Sequence, residues 1–180
     1  MVFPEDKEAV YWEDEYFYGS DLLVAPVHQE GEKRRIYFPS GSWINLLDFR
    51  KMVGGNRILQ VDVPIDKIPV YIREGACILS VMNGELQLGQ SMTYEKKNTV
   101  LMSRALNETS GKRYADGKEI EYNILGKTGE DFFMLRHASE TEFIVLLGFD
   151  RKPESLELNG ISLPEGASLN ALNYGSGWYW

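Results

Sequence analysis

The sequence predicts an all-β fold of sandwich or barrel type, entered through a short lead-in that is helical or irregular. Three observations carry this. Short apolar-rich runs recur along the chain, each closed by glycine, proline or a polar cluster. The first of them, Leu22–Val27, is too apolar to leave one face in water, so it belongs in the middle of a sheet. No helical period appears after residue 20. Short strands at this spacing, with Gly and Pro between them, build sandwiches or barrels.

In chain order, residues 1–18 are rich in acids and aromatics (Trp12, Glu13, Asp14, Glu15, Tyr16, Phe17, Tyr18) and form the lead-in. Leu22–Val27 is the first strand, stopped at Pro26. Lys33–Phe38 alternates and ends at the turn residues Pro39-Ser40-Gly41. Trp43–Leu47 is expected to form a hairpin with it. Lys51–Asn56, which contains Gly54-Gly55, is expected to be a loop, and Arg57–Val63 alternates, with Ile58 and Val61 among polar residues. Ile68–Ile72 and Cys77–Val81 flank a turn at Gly75. A second set of strands is expected at Glu85–Leu88, Thr99–Ser103, Lys112–Tyr114, Glu119–Leu125, Asp131–His137, Glu142–Gly148 and Ser155–Leu158. Asn159-Gly160 is a strong hairpin signal, because both residues accept the positive φ of a tight turn. The boundary between the two sets is placed near Met82-Asn83-Gly84, where apolar density drops.

Composition excludes several functions. With 180 residues and 43% hydrophobic, the chain holds one or two domains with a real core. A net charge of -8 argues against nucleic acid and anionic membrane surfaces, which both demand a basic footprint. No apolar run approaches the roughly 20 residues of a membrane helix. Residues 1–7 carry no signal peptide, and Cys77, the single cysteine, forbids an internal disulfide. Both features are compatible with a cytoplasmic parent. The first residues and the closing Trp178-Tyr179-Trp180 read as cut ends of a longer chain.

No residue emerges as catalytic, cofactor-binding or metal-binding. Asp14 with Asp21 and Asp62 with Asp66 are acid pairs by proximity only, and solvated turn acids account for them. Asp48, Asp131 and Asp150 lack calcium-loop spacing. Cys77 lies in an apolar strand without a neighbouring histidine, so it reads as a packed thiol. His28 and His137 lack partners at ligand spacing. Trp43 is a candidate sugar-stacking platform or, preferably, a packing residue of its hairpin. Trp12, Trp178 and Trp180 stand near the ends, where apolar surface would promote self-association. Asn107-Glu108-Thr109 matches a glycosylation sequon, which matters only in a secretory host.

Several separated motifs carry a resemblance. Gly19-Ser20-Asp21-Leu22-Leu23-Val24-Ala25-Pro26-Val27 is followed by Tyr37-x-Pro39-x-Gly41-x-Trp43, then Gly54-Gly55, then Ile68-Pro69-Val70-x-x-Arg73-x-Gly75. In this order they resemble the region that follows the catalytic barrel in glycoside hydrolase family 31, the α-glucosidase and α-xylosidase family. The likeness covers residues 2–80. The distal half is looser: Tyr114-Ala115-Asp116-Gly117, or the weaker Tyr94-Glu95, stands where the family often has Tyr-Glu-Asp-Asp-Gly.

The resemblance implies two antiparallel β-sandwich domains in tandem. Residues 1–18 would be the tail of the missing barrel, 19–82 the proximal sandwich, and 83–180 a distal sandwich truncated at its C-terminus. It also implies what is absent. Retaining glycosidases use two carboxylates about 5–5.5 Å apart, which the family places on barrel loops, the nucleophile within Trp-x-Asp-Met-Asn-Glu. No such motif occurs here, and a barrel of about 250 residues does not fit. The chain is expected to be inactive alone, with the parent's barrel as its partner. The alternatives are a stand-alone module with weak carbohydrate binding, or a module that docks another protein.

Overall fold

Glycine and proline stop the strands close to where the sequence places them. A computed structural model describes residues 3–28, 33–46, 52–64, 66–82, 97–103, 105, 107–115, 118–127, 130–137, 144–148 and 152–166. The expected strand at Glu85–Leu88, Tyr94-Glu95, Asp48, Asp150, Asp116-Gly117, Trp178 and Trp180 lie outside the described residues. The chain divides into two compact units, Met1–Gly148 and Phe149–Trp180.

In the first unit the lead-in holds a single 3₁₀ turn, Ala9–Tyr11. It ends in a strand, β1 (Tyr16–Tyr18), where a helical or irregular lead-in is expected from the sequence. A five-stranded sheet runs in the order β1, β2 (Leu22–Val24), β7 (Val70–Arg73), β4 (Ser42–Asn45), β5 (Met52–Gly54). Opposite it stands the pair β3 (Lys33–Phe38) and β6 (Arg57–Asp62). Leu23, Ala25, Ile36, Phe38, Trp43, Val53 and Tyr71 interlock between them, joined by Leu59 and Val61, in one hydrophobic core. This is face-to-face sheet packing. The mid-sheet placement of Leu22–Val24 follows from its composition. Leu23 enters this core, while Leu22 packs on the opposite face against Ile44, Ile72 and Ala76.

A second sandwich has its own core. Its sheets are β13 (Ile144–Gly148), β9 (Lys97–Ser103) and β8 (Cys77–Met82) on one side. On the other are β10 (Thr109–Ala115), β11 (Lys118–Lys127) and β12 (Glu130–His137). Cys77, Val100, Met102, Ala105, Tyr122 and Ile124 are buried between them. β13 runs parallel to β9, the one departure from antiparallel pairing among the described strands.

Three local expectations are corrected. Met52–Gly54, expected inside a loop, forms β5 and pairs with β4. Trp43–Leu47 does not form a hairpin with Lys33–Phe38: β3 pairs with β6, and β4 pairs with β5 and β7. Pro39 has no N–H to extend a ladder, and Gly41 takes φ +110, so the chain swings across to the other sheet. In Arg57–Val63 the inward residues are Leu59 and Val61, whereas Ile58 is exposed. Ile58 and Val61 are three apart and cannot share a face of a strand.

The described part of the second unit is a small hairpin, β14 (Glu157–Leu158) and β15 (Ile161–Ser162). Asn159 at φ 54 and Gly160 at φ 77 make its turn, as the Asn-Gly signal requires. Lys152 and Glu165 pair at 2.6 Å beside it.

Candidate functional site

Asp14 and Asp21, close in sequence, take different partners in the fold. Asp14 pairs with Arg34 at 2.9 Å and with His28 at 3.4 Å. Asp21 pairs with Arg113 at 2.9 Å. Asp62 and Asp66 are both exposed, the latter 3.6 Å from Lys67. Each of the first two carboxylates is thus committed to its own arginine.

Arg34 is the most buried charge described, 5% exposed. In a period-two strand it is in phase with Ile36 and Phe38, so its side chain must enter the same side as theirs. There it donates through Nε to Pro26 O (3.0 Å), through Nη2 to Asp14 O (2.9 Å), and through Nη1 to Arg35 O. The cation is paired and its donors are used, which is the condition for burying it. Its effect is to tie the lead-in to β3 and to the end of the first strand. A cleft of about 350 Å³ opens beside it, bounded by Trp12, Asp14, His28, Arg34, Arg35 and Gln60.

The next acid along, Glu15, accepts the backbone N–H of Tyr37 at 3.2 Å. Burial pushes its carboxyl up to about 7, against the pull of that hydrogen bond and of Arg34. Tyr37 reaches on to Asp6, donating its hydroxyl at 2.7 Å, and burial together with that carboxylate raises the phenol to about 12. Asp6 also accepts the N–H groups of Glu8 and Ala9, which starts the 3₁₀ turn. Trp12 stacks on Tyr37 at 6.0 Å, and Arg35 lies over the Trp12 ring. Phe3 and Phe17 close on Trp43, with centroids 6.2 and 5.8 Å from it.

Trp43 is fully buried and donates its indole N–H to Pro39 O at 2.9 Å. It offers no face to a sugar. Gly55 donates to Gly41 O at 2.7 Å. A Cβ on Gly55 would lie 1.9 Å from Pro39 O, so Gly54-Gly55 is the complement of the Pro39–Gly41 turn. Cys77 is fully buried, and burial drives its thiol up to about 11, far from a reactive thiolate.

Arg113 joins the two sandwiches. Besides Asp21 it reaches Cys77 O at 2.8 Å, and its guanidinium sits 5.1 Å from the Tyr122 ring. A second cleft of about 270 Å³ adjoins this bridge, with Asp21, Glu74, Thr109 and Tyr122 on its walls. Glu74 Oε2 is buried without a hydrogen-bond partner. Asn107 is exposed. Among the described residues no group of three or more His, Cys, Asp or Glu side chains converges as metal ligands would. Of the residues above, Arg34 had a signal in the sequence, its phase with Ile36 and Phe38. Arg113 is in phase with Thr109, Gly111 and Ala115, none of them a large apolar residue, and gave none.

Comparison with known proteins fits this arrangement of buried motif residues. Residues 1–78 match the glycosyl hydrolase family 31 C-terminal domain. An isomaltosyltransferase from Sporosarcina globispora is 25% identical over 187 aligned residues, covering all of this chain and 17% of its own length. Alpha-glucosidase 2 from Bacillus thermoamyloliquefaciens is 29% identical over 77 residues, covering 42% of this chain and 10% of that protein. Among solved structures, a cycloalternan-forming enzyme from Listeria monocytogenes, in complex with a pentasaccharide substrate, superposes with a TM-score of 0.81 at 25% identity. That match covers 99% of this chain and 18% of the enzyme. The chain therefore spans less than a fifth of these relatives. The matched residues 1–78 contain the Gly19–Val27 strand, the Pro39–Gly41 turn and the Gly75 turn.

Proposed function

We propose that this chain is the C-terminal portion of a family 31 enzyme acting on α-linked glucosides or xylosides, and that it supports the catalytic barrel without supplying a catalytic group. The observation that carries the reading is the commitment of its acids. Asp14 and Asp21 each lie in an ion pair with a different arginine. Glu15 is spent on a backbone N–H. A retaining mechanism asks for two carboxylates facing one bond, and neither arginine-bound acid is available for that. The lead-in presents Val10, Tyr11, Tyr16 and Tyr18 to solvent, a row of apolar surface suited to the barrel that would precede it. In isolation that surface would favour self-association, which an elution profile across a concentration series reads directly.

The test is an aryl α-glucoside assay on the purified chain beside its full-length parent. Turnover by the parent alone supports the reading. Turnover by the chain that persists through further purification overturns it.

A second reading concerns the parent's reaction. The isomaltosyltransferase matches the whole length of this chain, and an alpha-glucosidase from Mucor javanicus matches 83% of it at 27% identity, so transfer of α-glucosyl units stands beside hydrolysis as the parent's reaction. Product analysis with maltose as sole substrate separates the two: longer oligosaccharides mark transfer, glucose alone marks hydrolysis.

A further inference from the structure

The sheet β10-β11-β12 has two unlike faces. Its inner face, with Tyr122, Ile124, Phe133 and Leu135, closes the second core. The pairing registers fix what stands outside. Tyr114 lies opposite Glu119 on the outer face, and Lys112 lies across from Glu121 and Arg136. Ser110 lies across from Asn123 and Met134, and Leu125 opposite Phe132. Tyr114 is 67% exposed and Phe132 is 51% exposed.

The two rings stand at opposite corners of this face. Six residues of β11 separate their rows, about 20 Å at roughly 3.4 Å per residue. Between them runs a polar ladder. Lys112 Nζ contacts Glu119 at 2.7 Å and Glu121 at 3.7 Å, and Arg136 meets Glu121 at 3.5 Å. Tyr114 donates its hydroxyl to Glu119 at 2.8 Å, and Asn123 donates to Glu108 at 2.7 Å. Hydrogen bonds from Lys112 and Tyr114 hold the Glu119 carboxyl below its usual range, so it stays ionised.

We propose that this outer face is a binding platform for a neutral α-glucan oligosaccharide, with Tyr114 and Phe132 stacking on its sugar rings and the Lys112–Glu121–Arg136 ladder hydrogen-bonding its hydroxyls. Three features select that ligand. Lys112 and Arg136 cancel Glu119 and Glu121 within the ladder, and Glu108 at its edge leaves a single net negative charge, so the face carries little charge on a chain of net charge -8 and suits an uncharged partner. Carboxylates retain free lone pairs after pairing, and Lys and Arg retain free N–H groups, so the ladder accepts from and donates to hydroxyls at once. Aromatic rings present an electron-rich face to C–H bonds, and these two rings bracket the ladder. A protein partner fits less well, because interface cores are depleted in charged residues, whereas here the centre is charged and the apolar groups are at the rim. The polyhydroxylated, neutral nature of the ligand rests on this face; its α-configuration rests on the function proposed above.

The test is calorimetric titration of the full chain with isomaltoheptaose, maltoheptaose and cellohexaose. Tyr114→Ala and Phe132→Ala are titrated alongside, with Tyr18→Ala as an exposed-aromatic control. Both sites are on the surface, and an unchanged thermal midpoint certifies each variant as folded. Expected are saturable heat with at least one α-glucan, about tenfold weaker binding in each of the two platform variants, and no change in the control. Lys112→Met gives an independent reading from the ladder, again expected to weaken binding. Absence of heat with all three sugars overturns the platform, and so does binding indifferent to Tyr114 and Phe132. Equal binding of cellohexaose overturns the α-glucan assignment while leaving the enzymatic reading of the parent to the aryl α-glucoside assay, which does not depend on this face.

Discussion

Glu15 makes stability depend on pH in a direction opposite to that of most carboxylates. Its proton leaves near 4.5 in the unfolded chain, but burial holds it to about 7 in the fold. Between those values folding takes up a proton, so stability falls as pH rises. The contribution is fully present below about 4.5 and is lost as pH passes 7. At about 1.36 kcal/mol per unit the full shift is worth roughly 3 kcal/mol. The carboxyl stays partly open to water, which reduces this to about 1–2 kcal/mol.

Glu15→Gln isolates the effect. Glutamine keeps an oxygen for the Tyr37 N–H, 3.2 Å away in the parent sequence, and does not titrate. Urea or thermal unfolding of both proteins at several pH values between 4.5 and 7.5 gives two curves. Their difference cancels every other titrating group, including the general repulsion of an acidic chain. The variant is expected to gain on wild type by about 1–2 kcal/mol across this window, a relative shift of roughly 2–8 °C in midpoint for a chain of this size. Parallel curves would refute the reasoning, since they would mean that Glu15 titrates alike folded and unfolded.

Three further substitutions test the lead-in and the turn. Arg34→Met leaves the Asp14 carboxylate and the Pro26 and Asp14 carbonyls without their donor, and is expected to cost about 3–5 kcal/mol in urea unfolding; limited proteolysis should then cut ahead of Asp14 first. Gly55→Ala forces its new Cβ away from Pro39 O and should cost about 1–3 kcal/mol, read as a lowered thermal midpoint. Trp43→Ala empties the centre of the first core, with an expected loss of about 3–5 kcal/mol, while any sugar affinity of the folded protein is unchanged.

Strand positions were legible, β1 and β5 excepted, and strand partners were not. Lys33–Phe38 is bounded by its own alternation and by Pro39, both local signals. Asn159-Gly160 likewise dictates its hairpin. Which strand lies beside β3 is decided by the whole core. Phe38 meets Tyr71 edge-on at 4.7 Å, across 33 residues of sequence, and no local pattern states that contact. The parallel pairing of β13 with β9 was invisible for the same reason. Buried charge was legible in part. Arg34 declares itself by phase, whereas Glu15 is buried by a lead-in that packs only because Phe3 and Phe17 close on Trp43. The outer platform was hidden by its own composition, since Tyr114 and Phe132 sit in segments that look like ordinary half-buried strands.

The motifs that mark the family behave as parts of a joint. Arg73 donates its N–H to Asp21 O at 2.9 Å, Ala25 to Pro69 O at 3.0 Å, and Glu74 to Ser42 O at 2.8 Å. Segments far apart in sequence thus meet around the two ends of β7. From there Gly75, at φ +70, turns the chain into β8, and Ser103 of β9 closes the corner through Arg73 O and the Ala76 N–H. A Cβ at Gly75 would come within 2.6 Å of Thr109 Oγ1, so the turn and β10 also constrain one another. Arg113 completes the joint from the other sandwich by gripping Asp21. Glycine, proline and one aspartate recur in these motifs because a close backbone crossing needs residues without bulk and a carboxylate for the arginine that spans it. The same requirement explains why the motifs yield a fold so readily: the Asp21 carboxylate and the Asp21, Ser42 and Pro69 carbonyls are already occupied in the joint.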